Sequence, residues 1–170
     1  MEVYVLVTKK KSLVMQILAG IMLVFVVISV YLTLLLPLFM VLIMIFGALF
    51  YLFQFRQFRE FEYSYFDGDV RFAKISNKSR RKTLKRFTME EVVQIAPAGD
   101  RSVYKYEADS NVRKYRYDSG YADRIVYDMI FKDGDNVNLI AFEPDERYLQ
   151  EVRKKYAQKV ILFDKSHQQN

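Results

Sequence analysis

Residues 76 to 86 read SNKSRRKTLKR and place Lys78, Arg80, Arg81, Lys82, Lys85 and Arg86 within nine consecutive positions. Guanidinium and ammonium groups at that density make charge-assisted hydrogen bonds to phosphate and carboxylate oxygens, so they suit the gripping of an anionic surface. Acidic lipid head groups, an acidic partner protein and nucleic acid all present such a surface, and a solvated loop would carry the same residues. A second interleaving sets Lys105, Arg113, Lys114 and Arg116 among Tyr104, Tyr106, Tyr115 and Tyr117, a composition that single-strand nucleic-acid surfaces use. Glu107, Asp109 and Asp118 dilute that charge, and strand tyrosines half buried against a sheet account for it more simply. Nucleic acid is therefore the disfavoured partner.

Bond-making chemistry lacks its residues. The one histidine, His167, lies in the polar tail KSHQQN, and there is no cysteine, which removes thiol catalysis and the usual zinc ligand sets. The acids of DGDN, residues 133 to 136, are followed by Val137, which breaks a calcium-loop pattern, so the segment reads as a hairpin turn. The acids of EPDE, residues 143 to 146, suit the start of a helix. No glycine-rich phosphate loop is present. The expectation is a non-enzymatic protein with no catalytic residues, no cofactor and no metal.

What must position the basic stretch follows from where the apolar residues are. The chain has 170 residues, 26 Lys and Arg against 20 Asp and Glu, and a net charge of +6. Residues 12 to 55 carry no charge at all. A bilayer core of ~30 Å takes about 20 helical residues, so this run fits two spans, 13–33 and 38–55, with the break at Pro37. It is longer than a signal-peptide core and lacks a clear small-x-small cleavage site. Lys9, Lys10 and Lys11 precede the first span and Arg56 and Arg59 follow the second, which predicts a multi-pass membrane protein with both termini cytoplasmic. Ala19, Gly20, Gly47 and Ala48 either meet across the hairpin or face lipid. From Arg56 to Arg86 ten basic and four acidic residues give +6, whereas Phe87 to Asn170 carries thirteen basic and fifteen acidic and sums to −2. The excess charge thus follows the second span directly.

Beyond the spans the period changes to two. FEYSYF and DVRFAKI flank Asp67-Gly68, a hairpin signal, and further strands are expected at TLKRF, EVVQIA, SVYKYE, RKYRY, RIVYDMIF and VNLIAF. FEPDERYLQEVRKKYAQKV then turns helical over about 144–157, with Pro144 at the first helical position and Leu149, Val152 and Tyr156 as its buried stripe. The first residues, MEVYVLV, fit either a short amphipathic helix or an edge strand.

The strand order, the basic hairpin, FEPDERYL and the preceding two spans resemble the membrane-anchored bacterial pleckstrin-homology-like proteins. More narrowly, MEVYV, the two spans, FEY, DGDV, RRK and FEPDERYL are similar to a family of small two-span membrane proteins of Gram-positive bacteria that carry a domain of unknown function. The resemblance implies an α+β membrane protein: an N-terminal segment 1–12, a transmembrane hairpin 13–55, and a pleckstrin-homology-like domain 57–163 followed by a tail 164–170. That domain is expected as an antiparallel sheet or partly open barrel capped by a C-terminal helix. The function expected is an interaction or scaffold module whose basic hairpin docks on anionic lipid head groups or on a partner protein. The alternative is an accessory subunit of a larger membrane complex, with the spans contacting a membrane protein partner.

Overall fold

The computed structural model describes residues 2–55, 59–76 and 79–163; Lys78, the connection 56–58 and the tail with His167 lie outside the described residues. The chain divides into two compact units, an apolar one of residues 10–59 together with 76–80, and a mixed one drawn from chain on both sides of it.

The apolar unit is a helical hairpin. Helix α1 runs Leu13–Thr33, a 3-10 turn covers Pro37–Phe39, and α2 runs Met40–Phe55, so the elements fall where the uncharged run and its proline put them. Leu36 is extended at φ −142° and ψ 116°, because a residue before proline is pushed out of helical angles. Two helical runs, Leu13–Thr33 and Pro37–Gln54, the second joining the 3-10 turn to α2, are long and apolar enough to cross a membrane. On α1 the positions turned toward α2 include Ala19, Met22, Val26 and Ser29, a helical spacing, and Phe25 stacks on Phe46 at 5.0 Å. The Ser29 and Thr33 hydroxyls donate to the carbonyls of Phe25 and Ser29, each at 2.7 Å, and so are satisfied within their own helix. The four small residues do not meet across the hairpin. Ala19 alone is buried, and a Cβ on Gly20 or Gly47 would touch nothing within 4 Å. Gly20 is rotated ~100° from the inward face that Ala19 shares with Met22 and Val26.

The mixed unit holds two four-stranded sheets rather than a closed barrel. In the first, β1 (Val3–Thr8), β2 (Arg59–Phe66), β3 (Asp69–Ser76) and β4 (Arg80–Thr88) lie in sequence order. The undecided first residues are thus a strand, antiparallel to β2 and in continuous register from Val3↔Tyr65 to Thr8↔Glu60. Between β2 and β3 the turn uses Asp67 at φ 46° and Gly68 at φ 97°, the left-handed pair a two-residue hairpin needs. A side chain at Gly68 would also press on the Tyr156 hydroxyl at 3.0 Å.

The second sheet contains β5 (Val92–Pro97), β6 (Arg113–Arg116), β7 (Tyr127–Asp133) and β8 (Asn136–Phe142) in the order 5-7-8-6. As the doubly apolar pattern of RIVYDMIF requires, β7 is central. Two features differ from the sequence expectation. SVYKYE forms helix α3 (Arg101–Ala108) instead of a strand, and β6 runs parallel to β8. The helix wins because Asp100 caps it, accepting from the Ser102 amide at 2.8 Å, while Val103 and Tyr106, one turn apart, both pack on the sheet. A six-residue stretch carries too little pattern to separate the two periods.

Each face of the second sheet has its own core. Met129, Phe131, Ile140 and Phe142 meet Tyr63, Val70, Phe72 and Phe87 of the first sheet, and Tyr148, Leu149 and Val152 of α4 (Glu146–Tyr156) complete that core. On the opposite face Ile130, Leu139 and Ala141 are covered by Val103 of α3 and by Val112. Helix α4 starts two residues later than the proline suggested. Asp145 is the N-cap, accepting from the Tyr148 amide at 2.7 Å, and Pro144 precedes it.

Two core tyrosines make opposite predictions. The Tyr63 hydroxyl donates to the Tyr117 carbonyl, whereas the Tyr148 hydroxyl is buried without a hydrogen-bond partner among the described residues. Tyr148→Phe removes an unpaired polar group and is expected to raise stability by about 1 kcal/mol, while Tyr63→Phe strands a carbonyl and lowers it by about 1 kcal/mol. Urea unfolding of the full chain in detergent micelles, followed by tyrosine near-ultraviolet circular dichroism, reads both signs.

Candidate functional site

The β3–β4 hairpin carries the basic stretch, but the strands divide its residues among different surroundings. The turn closes with the Ser79 amide donating to the Ser76 carbonyl at 3.3 Å. Lys78 lies outside the described residues. Arg80 and Lys82 are exposed with no ion-pair partner among the described residues. Arg81 is paired with Glu62 of β2, and Arg86 with Asp69 of β3 at 2.7 Å. Lys85 is half-buried, 4.9 Å from the centre of the Tyr115 ring and 4.0 Å from Asp133. Its ammonium stem covers aromatic core surface, so Lys85 serves packing as much as charge.

Arg81 and Arg86 share a shallow concavity of about 380 Å³ on the outer face of the first sheet with Arg71, Ser64, Asp69 and Glu2. Sequence reading missed Arg71. The signal was present in DVRFAKI, where Val70 and Phe72 turn inward and Asp69 and Arg71 must turn outward. What could not be read were the matching acids, Asp69 on the adjacent strand β3 and Glu62 on β2 across it. Surface pairs of this kind contribute ~0–1 kcal/mol and exchange readily, so Arg81 and Arg86 remain recruitable by a stronger anion.

A second polar region lies between the β6–β7 connection and the start of α4. Glu143 is buried and accepts from the Ser119 amide at 2.9 Å and its hydroxyl at 2.8 Å. Arg116 grips Asp118 with two bonds, 3.1 and 2.8 Å; burial pushes the Asp118 carboxyl up, but this pair outweighs it and holds the group below its ordinary value. Asp128 is buried on the α3 side of β7, where Glu107 of α3 shares its environment. Loss of solvation, then the Glu107 contact, pushes its carboxyl up to about 7. These acids hold loops and helices together. EPDE splits the same way, Glu143 binding Ser119 and Asp145 capping α4. Among the described residues no three His, Asp or Glu side chains converge as metal ligands. Of the interleaved tyrosines, Tyr104 and Tyr106 sit on α3, and Tyr115 and Tyr117 pack against the main core, so they do not line up along one strand surface.

A family model described as "Bacterial PH-like domain (DUF6106)" matches residues 1–162. No curated protein and no solved structure matches the chain.

Asp128 gives the unit a pH dependence of definite sign. Its folded-state value lies above the ordinary aspartate value of 3.8, so the folded protein holds a proton that the unfolded chain releases. The stabilisation is complete below about pH 4 and is lost as pH rises toward 7. Asp128→Asn, which keeps a donor toward Glu107, should raise stability at pH 8 by about 1 kcal/mol or more and flatten the slope between pH 5 and 8. Urea midpoints at the two pH values measure this; equal slopes in both proteins would contradict it.

Proposed function

We propose that this chain, which belongs to the bacterial PH-like domain family DUF6106, is a non-enzymatic interaction module anchored by its two apolar helices in the cytoplasmic membrane. The observation that carries the reading is the pairing of β1 with β2. The strand before the apolar hairpin and the strand after it form one ladder, with Thr8 opposite Glu60. A chain that leaves a sheet and returns to its neighbouring strand must cross a bilayer an even number of times, which supports both ends lying on one side. The flanking cations Lys9, Lys10, Lys11 and Arg59 favour the cytoplasmic side.

The basic hairpin is then the docking element. The module is tied to the membrane through both β1 and β2, so most of the entropy cost of association is already met and a few weak contacts suffice. Each Lys or Arg near an anionic leaflet contributes ~1 kcal/mol. Arg80 and Lys82 make such contacts directly, Arg81 and Arg86 by releasing Glu62 and Asp69, with Lys85 on the same strand; Lys78 belongs to the same basic stretch of the sequence. Acidic head groups are the occupant this charge and tethering favour; an acidic partner protein uses the same residues.

The absence of native cysteine makes both halves testable with single introduced thiols. In sealed inside-out vesicles a thiol at Thr83→Cys should react with an impermeant maleimide and one at Leu35→Cys should not; equal reactivity would defeat the topology. For docking, a fluorophore on Ser79→Cys in nanodiscs should shift when roughly a third of the lipid is anionic. The shift should fade near ~1 M salt, where screening acts within ~3 Å, and shrink in the Arg80→Gln/Lys82→Gln variant. A signal indifferent to lipid charge would remove lipid docking while leaving the topology result intact.

A further inference from the structure

The open edge of the first sheet is a second surface, independent of the basic hairpin. Strand β1 ends the strand order, and among the described residues it pairs with β2 alone. Alternate residues of an edge strand turn their amide and carbonyl groups outward, so half of its six positions offer main-chain hydrogen bonds. Natural edges are usually blunted by charge, proline or a bulge. VYVLVT has none of these: it is uncharged, lacks proline and keeps an unbroken register with β2; helix α4 packs against β1, with Val3 in its core, and Val5 to Thr8 border the open space beside the edge.

Beside this edge runs a groove of about 540 Å³. Val5, Leu6, Val7 and Thr8 all line it. Four consecutive strand residues point their side chains to alternating faces, so only the edge itself can present them together. The far wall is the 119–125 connection and the Glu143–Asp145 segment. Leu6, Tyr121 and Ile125 are 51, 45 and 43% exposed there, an apolar lining at the mouth of a main-chain template. Three carboxylates, Asp123, Glu143 and Asp145, face one cation, Arg124. Glu143 and Asp145 hold Ser119 and Tyr148, which leaves the exposed Asp123 as the carboxylate available to a ligand.

We infer that the β1 edge and its groove bind an extended, lysine- or arginine-bearing segment of a partner polypeptide as an added strand. Main-chain bonds to β1 supply affinity, alternate side chains enter the groove against Leu6 and Ile125, and a cation meets Asp123. A second folded copy is disfavoured, because its own β1 edge would bring a second 119–125 and Glu143–Asp145 wall into the same groove. A single extended chain has no such obstruction.

The test uses the full chain in nanodiscs and a fluorescent set of blocked peptides spanning the six residues of β1, alternating β-branched or aromatic residues with lysine. Saturable binding measured by anisotropy is expected. N-methylation of alternate amides should weaken it by about tenfold or more, the loss of one or two net hydrogen bonds. Glutamate in place of lysine, or Asp123→Lys in the protein with an unchanged urea midpoint, should also weaken it several-fold. No binding by any member, or equal binding of N-methylated peptides, overturns the proposal. A disulfide-linked dimer formed on oxidation of Leu6→Cys also overturns it, since the edge would then be held by a second copy.

Discussion

The ladder between β1 and β2 is the constraint on which the rest depends. Its strands are separated in sequence by the whole apolar hairpin, yet Val3 to Thr8 pair with Tyr65 to Glu60 without a break. Forming it closes a long loop, an entropic cost that grows only slowly with loop length. Helices that pack on each other, as α1 and α2 do, shorten the effective separation further. The consequence is an insertion architecture: the apolar helical hairpin occupies what would otherwise be a connection inside the PH-like unit. That unit cannot be detached by one cut, because Val3 is part of its buried core.

The core explains why the unit tolerates such an insertion. Phe72 touches the rings of Tyr63, Phe87, Tyr117 and Phe142, and Tyr63 and Tyr148 both meet Phe142 edge-on. These contacts link β2, β3, β4, β8 and α4 without using the connection between β1 and β2. Aromatic pairs contribute beyond their buried area, about 0.5–1.5 kcal/mol each, so the sheets are held by residues that the hairpin does not interrupt. Because the basic strand β4 is fixed by Phe87 stacked on Phe131 at 4.2 Å, its outward cations are presented from a rigid base.

Much of this was legible before any coordinates. The uncharged run and Pro37 gave both apolar helices, and alternation with Asp-Gly gave the β2–β3 and β7–β8 hairpins, because long periodic segments have few competing readings. The short segments were not legible. VYVLVT is too brief to choose a period, and it became a strand because β2 offered a partner. VYKYE alternates convincingly yet is helical, since the cap at Asp100 and a waiting apolar sheet face outweighed strand propensity. The basic stretch was found by composition, but its division was not, because pairing Arg86 with Asp69 on the adjacent strand and Arg81 with Glu62 one strand further depends on the strand order and register. Arg71 was recoverable from parity alone. The groove beside β1 was beyond the sequence, since its two walls come from residues more than a hundred positions apart.

The measurement closest to the central claim is a disulfide scan across the β1–β2 ladder in the full chain, where only introduced thiols exist. Tyr4 and Ser64 are register partners, and directly opposite strand residues have Cβ atoms ~4.5–5.5 Å apart, within reach of a disulfide allowing for small backbone adjustment. Mild oxidation in native membranes should link Tyr4→Cys to Ser64→Cys within one chain and leave Tyr4→Cys with Glu60→Cys unlinked. If neither pair links, or both link equally, the N-terminal strand is not held in this register and the insertion architecture does not stand.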